Sequence, residues 1–121
     1  MSRPVLIPGP DHPISIDETS QRVRLTAGEN TVGDGLALEL REASYPPVYY
    51  VDRSAINCAA LTLSDNATWC PYKGEATHYH LNLADGSVLE NAIWCYEDPL
   101  PAVASIINRL AFYPVVKVTP V

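Results

Sequence analysis

The chain has 121 residues, 47% of them hydrophobic and 18% charged, which is enough apolar material for one core and too little length for two. Its net charge of −6 repels phosphate backbones and anionic lipid, so nucleic acid and membrane surfaces are set aside as partners. Three cysteines, Cys58, Cys70 and Cys95, form an odd set without CxxC spacing, unlike a secreted disulfide scaffold, and are expected to be reduced thiols.

The segment 1–13 carries prolines at 4, 8, 10 and 13, which fix φ and withhold backbone donors, so it reads as an extended arm on a single domain of residues 1–121. Its apolar run is too short and too proline-broken for a signal peptide or a membrane span, and a soluble, cytoplasmic protein is expected. The arm is also a segment that could cross to a second subunit, and a homodimer is the expected oligomer. Arg22 to Leu25 and Leu36 to Arg41 alternate polar and apolar residues as strands do, with Gly28, Gly33 and Gly35 read as turns between them. Val48-Tyr49-Tyr50-Val51 is a strand by its β-branched and aromatic content.

Ala76 to Leu83 and Ser87 to Tyr96 flank Ala84-Asp85-Gly86, and Asp-Gly between two strand patterns predicts a hairpin. On its first arm Thr77, Tyr79, Leu81 and Leu83 share a face, expected inside, and His78, His80 and Asn82 share the other. On the second arm Trp94 selects its own side as the buried one. Asp98 before Pro99 resembles a capped helix start, and Leu100, Val103, Ile106, Ile107 and Leu110 follow helical spacing, so a helix over about 99–110 is expected to pack on the sheet. Phe112-Tyr113-Pro114 makes a corner, and Val115 to Val118 returns as a last strand. The fold class is therefore mainly β, a small antiparallel domain with one helix.

Cys70-Pro71-Tyr72-Lys73-Gly74-Glu75-Ala76 is the stretch richest in chemistry, because it sets a thiol three residues from an ammonium in a turn before a strand. A cation favours the thiolate, the reactive form of cysteine, so Cys70 and Lys73 are the candidate catalytic pair, with Glu75 or a histidine handling protons. The same residues also describe a tight structural turn, with Cys70 a small buried hydrophobe and Gly74 supplying an unusual φ. Aromatic side chains, Tyr49, Tyr50, Tyr72, Tyr79, Trp94 and Tyr96, suit either a small β core or the walls of a ligand site. In the second case Lys73 and Glu75 orient the ligand. His78-Tyr79-His80 puts two imidazoles on one strand face, a weaker alternative as a zinc site with Cys70 or Cys58 as third ligand. His12 and Asp11 read as turn or packing residues, and no cofactor is implied.

Five ordered segments carry a resemblance: Ile7 to Ile14, Pro46-Pro47-Val48-Tyr49-Tyr50, Cys70 to Gly74, Trp94 to Pro99, and Ala111-Phe112-Tyr113-Pro114. Together they resemble the family catalogued as domain of unknown function 427, bacterial and fungal proteins that also carry a nucleotidyltransferase label. The resemblance covers nearly the whole chain and implies a β-tent or pseudo-barrel domain with no established reaction. The label finds little in the residues: there is no Gly-Ser turn followed by paired aspartates, no P-loop and no basic cleft. In family terms the site residues fall on Cys70, Pro71, Tyr72, Lys73, Gly74, Trp94 and Tyr96. His78, His80, Cys95 and Cys58 depart from the residue types that the family leads one to expect. The function expected is small-molecule binding at Tyr50, Tyr72, Lys73, Gly74, Glu75, Trp94 and Tyr96, with thiol or lysine chemistry. The competing class is a structural or interaction module.

Overall fold

A computed structural model describes residues 3–121. Eight strands, β1 (Ile14–Ala27), β2 (Asn30–Glu42), β3 (Val48–Val51), β4 (Leu61–Cys70), β5 (Gly74–Asn82), β6 (Val88–Cys95), β7 (Leu110–Phe112) and β8 (Lys117–Pro120), form one antiparallel sheet. Their order is β4-β5-β6-β7-β3-β2-β1-β8. The mainly β reading is borne out, but the sheet does not close as a pseudo-barrel would, and β4 and β8 are its two edges.

The β1–β2 hairpin is far longer than local alternation suggested. Only Gly28, at φ 60°, turns the chain; Gly33 and Gly35 lie inside β2, opposite Leu25 and Val23. They are glycines because a short turn over Arg53–Ala55 presses on the strand. A Cβ on Gly35 would stand 2.6 Å from that of Ala55, and one on Gly33 would collide with the Ala55 carbonyl oxygen. The Asp-Gly hairpin of β5 and β6 forms as expected: Gly86 takes φ 90°, and Asp85 Oδ1 accepts the Ser87 backbone N–H at 2.9 Å.

The expected helix over 99–110 is overturned. Leu100 is extended (φ −64°, ψ 154°), as the residue before Pro101 must be, and Pro101–Ile106 is a 3-10 segment broken at Val103 (φ −125°, ψ 30°). The i, i+3 spacing of Leu100, Val103 and Ile106 suits a three-residue turn as well as a helix, and Val103 and Ile106 are fully buried. Leu110 belongs instead to β7, opposite Val51 and Cys95. The last strand begins at Lys117, two residues beyond the predicted start, after a turn in which the Val116 N–H bonds the Tyr113 carbonyl.

Burial on both faces of the central strands corrects two further expectations. Strand alternation sends Val51, Ile93, Cys95, Leu110 and Leu81 into one apolar cluster, and Tyr50, Ala111, Ala76, Leu40 and Tyr96 into a second, beneath which Val103 and Ile106 pack. His78 therefore sits on a buried face, opposite the leucine face but equally covered, and is 1% exposed. On β6 the fully buried residues are Ala92, Ile93 and Cys95, all in the first cluster, while Trp94 is half-buried against the second. Among the described residues no helix is long and apolar enough to cross a membrane.

Candidate functional site

The second cluster opens outward into a cavity of ≈ 250 Å³. Its walls come from the end of β2, from β3, from the start of β5 and from the end of β6, with Tyr113 closing one side. Tyr50 lies at the centre, its ring 6.4 Å from that of Trp94 in an edge-on arrangement and 6.3 Å from that of Tyr96. Trp94 in turn meets Tyr113 at 4.6 Å. The Trp94 indole N–H points at the Tyr50 hydroxyl, 3.4 Å away. Burial drives the Tyr50 phenol far above its ordinary pKa, against a smaller opposing effect of the Trp94 bond, and burial does the same to Tyr96. Both remain neutral phenols, able to donate.

Lys73 reaches this wall because of the turn that carries it. The Lys73 N–H closes the turn onto the Cys70 carbonyl at 3.3 Å, and its own carbonyl accepts the Leu100 N–H at 2.9 Å. Gly74 follows at φ 109° with its Cα face against the Asp98 carbonyl, a conformation and an approach that favour glycine. The Lys73 side chain is only 10% exposed. Its ammonium donates to Glu42 Oε1, and the other oxygen of Glu42 lies 2.7 Å from His12 Nε2. His12 stacks on Tyr72 with centroids 4.0 Å apart and planes 7° from parallel. Burial works to raise the Glu42 pKa, but hydrogen bonds from Lys73 and His12 and their charges outweigh it and hold the carboxyl below its ordinary value.

The predicted site residues divide into those the fold brings together and those it does not. Tyr50, Lys73, Trp94 and Tyr96 share the cavity. Tyr72 faces His12 outside it, and Gly74 contributes backbone geometry alone. Glu75 turns to the opposite, exposed side, where it pairs with Arg3 at 2.7 Å. Cys70 is half-buried against the second cluster without lining the cavity, and the Lys73 ammonium is directed to Glu42. Tyr49 and Tyr79 pack on the other cluster, Tyr79 with its hydroxyl 3.0 Å from Glu97.

His78 and His80 are separated in role. His78 Nε2 bonds the Thr68 hydroxyl at 3.0 Å, its Nδ1 is buried without a partner, and burial lowers its pKa. His80 Nδ1 accepts the Asn91 N–H at 2.9 Å, in the bulge of β6 where Asn91 takes φ 50°. Among the described residues no three His, Cys, Asp or Glu side chains converge to hold a metal. Cys95 is fully buried with Arg53 Nη2 3.3 Å from its sulfur; burial raises the thiol pKa more than the guanidinium lowers it. The Arg53 guanidinium also binds the Asn108 carbonyl at 2.9 Å, tying the Arg53–Ala55 turn to the entry of β7.

Sequence reasoning missed Glu42, Tyr45, Thr68 and Tyr113 as wall residues and set His12 aside. Tyr113 stood in one of the segments that carried the family resemblance and was readable from it. Glu42 carried no local signal, since its partners are 31 and 30 residues away. In comparisons with known proteins, the family model described as domain of unknown function DUF427 matches residues 15–120. No curated protein matches the chain.

Proposed function

Because the chain belongs to the DUF427 family, whose description assigns no reaction, we propose from its own geometry that it binds a small molecule in the cavity of Tyr50, Lys73, Trp94 and Tyr96. One observation carries this reading: a lysine almost removed from water, paired with a carboxylate, forms part of an aromatic wall around open space. Burying an ammonium is costly, and an ion pair is weak compensation compared with an apolar side chain of similar volume. A fold serving stability alone gains nothing from placing it there. The rings supply apolar faces for a planar ligand, and the phenols and the ammonium supply orientation.

Lys73, rather than Cys70, is the group that meets the ligand, since Cys70 stands behind the wall. A small molecule fits better than nucleic acid, because the chain carries a net charge of −6. The test is a screen of planar fragments by two-dimensional NMR. Binding should move the Trp94 indole signal and the amides of Lys73 and Gly74 together, and a Lys73→Met variant should lose those shifts while keeping a dispersed spectrum. Fragments that move only signals remote from the cavity would refute the reading.

A second reading, an interaction module, is favoured by Val5, Leu6 and Ile7, which stand exposed in succession on the N-terminal arm. If the arm pairs two copies, Ile7→Asp should lower the mass measured by sedimentation equilibrium. An unchanged mass would remove the arm as the contact.

A further inference from the structure

The balance of hydrogen-bonding groups around the cavity gives its ligand a chemical class; this step rests on the binding reading above. Only one group in the wall is a permanent acceptor of full charge, Glu42, and both of its oxygens are engaged, one by Lys73 and the other by His12. Donors are in surplus. The ammonium has three N–H groups, of which Glu42 takes one. The Tyr50 hydroxyl accepts from Trp94, which leaves its own proton free to point elsewhere. Tyr96 and Tyr113 also line the space, and burial keeps both phenols protonated. A ligand entering here meets ring faces and donors that lack a partner, and no carboxylate oxygen that lacks one.

We infer that the site takes a compact planar carboxylate, its ring against Tyr50, Trp94 and Tyr96 and its carboxylate on the Lys73 ammonium. A volume of ≈ 250 Å³ suits one ring with a small substituent and is too small for a nucleotide or a peptide. Lysine is fit for this task as a compact charge whose three donors serve two acceptors at once. His12 is the positioning residue: it holds the second oxygen of Glu42 and is itself stacked on Tyr72, so Glu42 stays in place when another carboxylate approaches Lys73.

Three probes with one ring and different charge test the class: benzoate, benzamide and benzylamine, each titrated into the full chain while the Trp94 indole and Lys73 amide signals are followed. Benzoate should bind about tenfold more tightly than either of the others, the difference expected of a hydrogen bond to a charged group. The preference should vanish in Lys73→Met, and in His12→Ala it should weaken while benzamide is unaffected. Equal binding of the three probes, or a preference for benzylamine, overturns the carboxylate class and leaves the cavity as a binding site. Failure of all three to move either signal overturns the binding reading as well. Because the charge series is read on the unmodified chain, the outcome stands even if Lys73→Met does not fold.

Discussion

Glu42→Gln is the substitution that the structure makes most informative. It keeps the shape of the side chain and removes its charge, leaving the Lys73 ammonium and His12 to share an amide. Exposed ion pairs contribute about 0–1 kcal/mol, whereas removing one partner of a fully buried pair costs about 3–5 kcal/mol. With the side chains of Lys73 and Glu42 10% and 16% exposed, the loss should be about 2–3 kcal/mol. In a chain of this size that lowers the melting temperature by about 8–12 °C. The sign with pH is fixed. Glu42 has a folded pKa below its ordinary value of 4.5, so its contribution is fully present above that value and is lost as pH falls through the folded pKa. Urea unfolding of the unmodified chain should therefore show stability declining from about pH 5 downward, and Glu42→Gln should flatten that limb. A double replacement, Lys73→Met with Glu42→Leu, should cost less than the two single replacements together, because it strands neither charge of the Lys73–Glu42 pair. The exposed pair of Arg3 and Glu75 supplies the control: Glu75→Gln should change stability by less than about 0.5 kcal/mol. A Glu42→Gln protein as stable as the control, or a double replacement that is additive, would refute the buried-pair argument.

The remaining expectations concern thiols, a glycine and the buried imidazole. In native alkylation followed by mass spectrometry, exposed Cys58 should label first and half-buried Cys70 more slowly, with Cys95 reacting only after unfolding; early labelling of Cys95 would contradict its burial. Gly33→Ala forces a Cβ against the Ala55 backbone and should destabilise by about 2–4 kcal/mol in thermal melts, far more than Ala at Gly86, where open space surrounds the missing Cβ and only the backbone conformation resists. His78 has a folded pKa below 6.5, so the unfolded chain binds the extra proton and stability should fall as pH drops from 6.5 through the folded pKa. His78→Phe should lose that part of the pH dependence, and an unchanged profile would show that another group is responsible.

How much of this was legible in the sequence follows from the range over which each feature is determined. The β5–β6 hairpin is set by Asp85 and Gly86, residues that act on their immediate neighbours, and it was readable. β7 is three residues long and exists because Leu110 pairs with Val51 on one side and Cys95 on the other. No local pattern announces such a strand, and the apolar spacing ahead of it imitated a helix. β4 was hidden by Ser64-Asp65-Asn66, turn-forming residues that the strand absorbs as an irregularity between Leu63 and Ala67. Gly33 and Gly35 read as turns because their reason for being glycine, the approach of Ala55, lies 20 residues or more along the chain. Aromatic content and the turn motif pointed to Tyr50, Lys73, Trp94 and Tyr96, but nothing local could select Glu42 as the partner of Lys73.

That selection changes the chemistry of the turn. Reading Cys70 and Lys73 as a pair assumes that residues three apart in a turn turn toward each other, as they do on a helix surface. Here the backbone bond from Lys73 to Cys70 closes a turn, and Gly74 at φ 109° launches β5 with the lysine directed across the sheet to the end of β2. The ammonium is given to the Glu42 carboxylate, 31 residues away in the chain, and not to the Cys70 sulfur three residues before it. The N-terminal arm strengthens this arrangement. Its Pro4 carbonyl accepts the Trp69 indole N–H at 2.8 Å, its Leu6 N–H bonds the Pro71 carbonyl at 2.9 Å, Arg3 pairs with Glu75 and His12 reaches Glu42, so the arm is fastened to both flanks of the turn and to the end of β2. Of these, only His12 bears on a charged group of the cavity, and its loss would free one oxygen of Glu42 to compete for Lys73. The arm is thereby coupled to the electrostatics of a site whose walls it does not form.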